Sequence, residues 1–214
     1  RQFTRNIITT YQSLLVNSNI DDWTDEEYHK MVGQIDWLSS VNYSCLPMKV
    51  KAQIRNQQEI SESTLLKIQK ALFSRESTVQ VEGIKAFFVL KDNGKDIEQI
   101  LSNVFNNFSL ADTKAYKELL ILFANLIVKG YNEHDFNKRI LGFMNNIHQF
   151  YNSYELGVVG LADLQYYANY VAGALSVKEP KLNIPVFQKV EANFNDVTVG
   201  FDKGVEFAKS SSHD

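Results

Sequence analysis

One cysteine and four histidines are the residues best suited to nucleophilic or metal chemistry in this chain. Cys45 is single, so it can neither form an internal disulfide nor supply a multi-cysteine metal site. His134 and His148 are placed to share a helix, but fourteen residues at about 1.5 Å each put them about 21 Å apart, too far to share a metal ion. We therefore predict no metal, no cofactor and no catalytic residue, with Cys45 as a buried, unreactive cysteine.

Common catalytic motifs are missing from the sequence. It contains no Gly-Xaa-Ser-Xaa-Gly elbow, no phosphate-binding loop and no dinucleotide fingerprint. An enzyme is still an alternative, because folding can bring Cys45 beside a histidine that is distant in sequence.

The best candidate surface lies on a strongly apolar helix predicted at Tyr154–Val177. Its polar residues fall on one broad arc, and Tyr166 and Tyr170 project onto the same arc beside Asp163. An exposed tyrosine suits an interface, because its ring buries area while its hydroxyl keeps a hydrogen-bond partner. We predict that Asp163, Tyr166 and Tyr170 bind a protein partner. The alternative is that the C-terminal helix covers this arc. The polar residues of the arc are Glu155, Asp163, Gln165 and Asn169.

Aromatic residues define a second candidate site. Phe136, Phe143 and Phe150 follow one helical stripe, and Phe123 lies on the preceding helix. Such rings can line a cavity for a lipid or another small apolar ligand, which makes a carrier the alternative function. The same spacing also suits an ordinary packed core.

Composition and charge limit the classes of partner. The net charge is −3, and a surface built for nucleic acid needs clustered lysines and arginines, so we predict no nucleic-acid partner. The most apolar run, within Asp112–Lys129, is shorter than the roughly 20 residues that cross a bilayer. We expect a soluble protein, either cytoplasmic or secreted after removal of an N-terminal segment. Asn42 and Asn107 match the N-glycosylation pattern, which does not decide between these compartments.

Helical periodicity dominates the chain, and no stretch shows sustained strand alternation. We predict an all-α protein of about eight to ten helices, arranged as a multi-helix bundle or as a short helix-pair solenoid of the HEAT or armadillo type. The expected unit is a single helical domain, 1–214, with a possible C-terminal helical appendage at 183–210. The apolar run within Asp112–Lys129 is expected to form a central core helix.

Local signals place several helix ends. The first helix is predicted at Gln2–Val16, and Thr24 with Glu27 forms a capping box for the second. A similar box is predicted from Ser109 to Asp112, before the central helix, and Gly130 is placed to end that helix. The last helix is predicted to begin near Phe187. Its glycines, Gly200 and Gly204, are expected to bend or break it.

These observations favour a non-catalytic helical protein that binds a protein partner. The carrier of an apolar ligand is the first alternative, and an enzyme with a site assembled from distant residues is the second.

Overall fold

The computed structural model describes residues 2, 20–41, 43–150, 161–188 and 196–211. These residues form nine α-helices and four short 3-10 turns, and they contain no strand, so the predicted all-α class is confirmed. None of the described helices is long and apolar enough to span a membrane. The helices are α1 (Asp25–Val41), α2 (Leu46–Arg55), α3 (Glu62–Leu72), α4 (Ser77–Asp92), α5 (Glu98–Asn107), α6 (Tyr116–Val128), α7 (Glu133–Phe150), α8 (Leu161–Lys178) and α9 (Val199–Ser211).

The chain divides into two compact units, Arg1–Leu110 and Ala111–Asp214. Each unit has its own set of packed helices, α1 to α5 in the first and α6 to α9 in the second. Such a division is compatible with one domain or with two, so the single domain 1–214 with an appendage at 183–210 stays a prediction. The predicted first helix, apart from Gln2, and the start of the helix predicted at Tyr154–Val177 lie outside the described residues.

In the first unit, Thr24 caps the beginning of α1 as predicted, while the Glu27 side chain makes no return hydrogen bond to the Thr24 backbone among the described residues. The backbone N–H of Glu27 donates to the Thr24 hydroxyl at 3.2 Å, which satisfies one of the free donors at the helix start. The buried side of α1 then packs with α2 around a small apolar cluster. Its buried members are Ile20, Tyr28, Ile35, Cys45 and Ala52, and Trp23, Met31, Val32 and Met48 pack against them.

Helices α3 and α4 pack against each other beside α2. Ser61 caps α3 by accepting a hydrogen bond from the backbone N–H of Thr64. Gln80 of α4 is buried, and its side-chain amide donates to the backbone oxygen of Leu72 at 3.0 Å. This contact satisfies a carbonyl at the end of α3 and fixes the two helices relative to each other.

Helix α6 is largely buried in the second unit, as the apolar run predicts. Its buried residues occupy most of the circumference, while Lys117, and Lys114 and Lys129 just beyond the helix ends, are exposed. The predicted cap at Ser109 is wrong, because Asp112 caps a 3-10 turn ahead of the helix by accepting from the backbone N–H of Lys114 at 3.0 Å. Gly130 does end the helix, in the left-handed conformation with a φ of 72°.

Helix α8 packs on both α6 and α9, which makes it the middle layer of the second unit. The prediction that the last helix begins near Phe187 is wrong, since residues 183–188 are not helical and α9 begins at Val199. Gly200 and Gly204 do not break α9 either. They lie within it, against the backbone of α8, where a side chain would overlap the carbonyl oxygens of Tyr166 and Tyr170 respectively.

Candidate binding surface

The polar arc predicted on α8 is divided between the interior and the surface. Gln165 is 1% exposed and Asn169 is 0% exposed, whereas Asp163 is exposed and Tyr166 and Tyr170 are half-buried. The expectation that Gln165 and Asn169 belong to an outer face is therefore wrong. The neighbours α6 and α9 pack on this helix, and among the described residues of the arc Asp163, Tyr166 and Tyr170 reach the surface. Glu155 lies outside the described residues.

Burial of Asn169 is balanced by hydrogen bonds to a segment that is distant in sequence. Its side-chain amide donates to the backbone oxygens of Phe187 and Val197, both at 2.9 Å, and its side-chain oxygen accepts from the backbone N–H of Phe187 at 2.7 Å. A buried amide with these three partners no longer carries the usual cost of a buried polar group. Asn169 therefore anchors the chain on both sides of the connection between α8 and α9.

Tyr166 and Tyr170 lie at the border of the contact with α9. Their backbone oxygens face Gly200 and Gly204, and the Tyr170 ring stacks on Phe207 with ring centroids 5.7 Å apart. The C-terminal helix thus covers part of the arc, as the alternative interpretation expected. The hydroxyls, however, make no hydrogen bond to the described part of the chain. The rings themselves are held by packing against one another and on Phe207.

Tyr167 completes this surface, and the sequence analysis did not single it out. Its ring meets Tyr166 edge to face at 4.9 Å and Tyr170 at 6.3 Å, and the Lys117 ammonium lies 5.5 Å from its centroid. Residues 163, 166, 167 and 170 follow the i, i+3, i+4, i+7 spacing of one helical stripe. The four-residue step from Asp163 is the signal that identifies Tyr167. We call Asp163, Tyr166, Tyr167 and Tyr170 the tyrosine stripe.

The surroundings of Tyr170 favour its neutral form. Burial raises the pKa of Tyr170, and the neighbouring Tyr166 and Tyr167 raise it further, because a second phenolate nearby would be repelled. Tyr170 is therefore a neutral hydroxyl at physiological pH, able both to donate and to accept a hydrogen bond.

The four phenylalanines of the predicted apolar cavity do not share one environment. Phe123 and Phe143 meet edge to face at 5.3 Å, and Phe136 packs on Tyr131 at 5.6 Å. Phe150, at the end of α7, is 71% exposed. The structure thus brings Phe123 and Phe143 together as packed rings and leaves Phe150 at the surface. The apolar-ligand site stays a prediction.

Cys45 is 2% exposed and belongs to the apolar cluster of α1 and α2. Reactive cysteines need a partly exposed, electropositive environment, so this position suits a packing role, as predicted. Among the described residues, no group of three or more histidine, cysteine or acidic side chains is placed to hold a metal ion.

Comparison of the chain with protein-family models, with curated proteins and with solved structures finds no match. The chemistry of individual surfaces is therefore the basis for a functional proposal.

Proposed function

We propose that this chain is a non-catalytic helical protein that binds another protein through the tyrosine stripe of α8. One observation carries the proposal: three neighbouring tyrosines are fixed by ring contacts, yet their hydroxyls make no hydrogen bond to the described residues.

Ring packing lowers the cost of binding. A tyrosine has few side-chain rotations to lose, and edge-to-face contacts already restrict Tyr166, Tyr167 and Tyr170. These side chains therefore lose little additional conformational entropy when a partner covers them, and more of the contact energy contributes to affinity. Tyrosine is also among the residue types most often found at the energetic centre of protein interfaces.

Charged side chains flank the rings. Asp163 begins the stripe and is exposed, and Lys117 reaches over Tyr167 from α6. A largely aromatic patch with charges at its rim is the usual composition of a protein interface, in which the rim favours the correct orientation of the partner. Because the rim carries both signs, the expected partner is a mixed polar protein surface and not a polyanion.

Site-specific photo-crosslinking in an extract of the source cells tests the proposal. A photoreactive amino acid replaces Asp163 at the stripe, and a matched control replaces Asn146, which is exposed on α7. We expect a discrete crosslinked protein from position 163 that is absent from position 146. Identical crosslinking patterns from the two positions would contradict the proposal.

A second measurement uses the purified crosslinked partner. Replacing Tyr166, Tyr167 and Tyr170 together with phenylalanine removes the hydroxyls and keeps the rings, so the packing on Phe207 is preserved. We expect the triple variant to bind at least about tenfold more weakly, as for the loss of one or two interface hydrogen bonds. Tyr43→Phe, in the first unit, serves as the control and should bind as the wild type does. Wild-type affinity of the triple variant would show that the stripe does not form the interface.

A further inference from the structure

A groove in the first unit combines a fixed arginine, a lysine and two aliphatic side chains. Its volume is about 480 Å³, and it lies between α2 and α4. This volume is within the range of pockets that hold small organic ligands, about 300 to 1,000 Å³. The lining residues are Lys51, Ile54 and Arg55 of α2 with Val89, Asp92 and Asn93 at the end of α4.

Arg55 is held rigidly beside this groove. Its Nη1 donates to the backbone oxygen of Ile20 and its Nη2 to that of Trp23, both at 2.7 Å. Its guanidinium carbon also lies 4.7 Å from the centre of the Tyr28 ring. Its Nη2 also contacts the Asp25 carboxylate at 3.2 Å. Three of the five N–H donors of an arginine are used in this way. The Nε–H and one Nη1–H make no bond to the described residues.

The groove has an excess of positive charge. Asp25 is 94% exposed, so its carboxylate compensates Arg55 only through water-screened contact. Asp92, another lining residue, has the Lys91 ammonium 3.9 Å from its carboxylate. Lys51 lies on the same face of α2 as Arg55, one turn earlier, and forms no ion pair with the described residues. Among the described lining residues, Lys51 is therefore a basic side chain without an acidic partner.

We propose that this groove binds a carboxylate attached to an apolar group. Lys51 and the free donors of Arg55 hold the carboxylate, since charge-assisted hydrogen bonds from a fixed arginine and a lysine suit its two oxygens. Ile54 and Val89 cover the apolar part. This site is independent of the tyrosine stripe, which belongs to the other unit.

Titrations followed by NMR of methyl-labelled protein test the site with a matched pair of probes. N-acetyl-leucine carries the carboxylate, and N-acetyl-leucinamide has nearly the same shape without the charge. We expect the acid to shift the methyl signals of Ile54 and Val89 saturably. The amide should bind about tenfold more weakly, as expected for the loss of a charge-assisted hydrogen bond. The carboxylate could belong to a small organic acid or to the C-terminus of a peptide chain. A short peptide that ends in leucine distinguishes these two sources, because tighter binding than that of N-acetyl-leucine assigns the carboxylate to a chain terminus.

Variants of Lys51 complete the test. Lys51→Gln should weaken binding of the acid about tenfold and leave binding of the amide unchanged. Lys70→Gln, which removes an exposed lysine from α3, should bind the acid as the wild type does. Equal affinity for the acid and the amide, wild-type affinity of Lys51→Gln, or the absence of any shift at Ile54 and Val89 would each overturn the proposal.

Discussion

The side chain of Asn169 pairs with both backbone groups of Phe187. Its amide donates to the Phe187 oxygen at 2.9 Å, and its oxygen accepts from the Phe187 N–H at 2.7 Å. The Asn169 side chain thus satisfies both backbone hydrogen-bonding groups of Phe187. In a β-sheet, a neighbouring strand would satisfy these groups. Residues 183–188, which are not helical, are thereby held against α8 at Phe187.

Replacing Asn169 with alanine should destabilise the second unit. The substitution removes three hydrogen bonds at a fully buried position and leaves backbone groups of Phe187 and Val197 without them. We expect a loss of about 2 to 5 kcal/mol in the free energy of unfolding. Urea denaturation followed by circular dichroism measures this loss. Asn146→Ala, at an exposed position of α7, is the control and should change the same free energy by no more than about 0.5 kcal/mol.

Gly204 should not tolerate a methyl group. An added Cβ would overlap the Tyr170 oxygen and lie 2.8 Å from its carbonyl carbon and 3.0 Å from the backbone nitrogen of Ala174. Because these are backbone atoms, α8 and α9 would have to move apart. We expect Gly204→Ala to lower the free energy of unfolding by about 1 to 3 kcal/mol, despite the better helix propensity of alanine.

The matched control for this substitution is Gly142→Ala. Gly142 is exposed within α7, and an added Cβ would meet nothing within 4 Å. The same change of residue should therefore stabilise the protein by about 0.5 to 1 kcal/mol, because alanine loses less backbone entropy in a helix. Thermal unfolding that moves in the same direction for both variants would contradict the assigned role of Gly204.

Helix ends that depend on local contacts could be predicted from the sequence. The cap at the start of α1 needs only Thr24 and the backbone three residues later, and the stop at Gly130 needs only a residue that tolerates a positive φ. The burial of α6 was also predictable, because its apolar residues occupy nearly the whole circumference of the helix.

Features that depend on distant partners could not be predicted in this way. The apolar spacing around Phe187 continues the helical pattern, but the amide of Asn169 holds this residue in a non-helical segment. Burial of Gln165 and Asn169 likewise depends on which helices cover α8, and a polar residue type alone suggests exposure. Gly200 and Gly204 are poor helix formers in isolation, yet the approach of α8 and α9 requires them.

The contacts of Arg55 with backbone oxygens should matter more than its ion pair. Lysine at this position keeps the charge but cannot reach the oxygens of Ile20 and Trp23 in the same forked geometry. We expect Arg55→Lys to cost about 2 kcal/mol in the free energy of unfolding. Trp23 and Trp37, the two tryptophans of the chain, both lie in the first unit, so tryptophan fluorescence follows its unfolding.

The comparison for this prediction is Asp25→Asn. It removes the ion pair with Arg55 and leaves the two backbone contacts, and the Asp25 side chain is 94% exposed. A screened surface pair contributes at most about 1 kcal/mol, so this variant should unfold almost as the wild type does. A larger loss in Asp25→Asn than in Arg55→Lys would reverse the assigned order of the two interactions.

His148 should make the stability of the second unit depend on pH. Its ring stacks on Phe187 with centroids 3.8 Å apart, its Nε2 atom is buried without a partner in the described part of the chain, and burial lowers its pKa. Histidine titrates at about pH 6.5 in an unfolded chain. As the pH falls, His148 is therefore protonated in the unfolded state at a higher pH than in the folded state. The contribution of His148 to stability is therefore complete above that pH, and it decreases as the pH falls toward the lowered pKa of the folded state.

His148→Phe keeps an aromatic ring on Phe187 and cannot titrate, so its free energy of unfolding should fall less than that of the wild type over this acidic range. Urea denaturation at a series of pH values measures the difference, with His134→Gln, at an exposed position of α7, as the control. Parallel pH curves for the wild type and His148→Phe would show that His148 is not the group responsible.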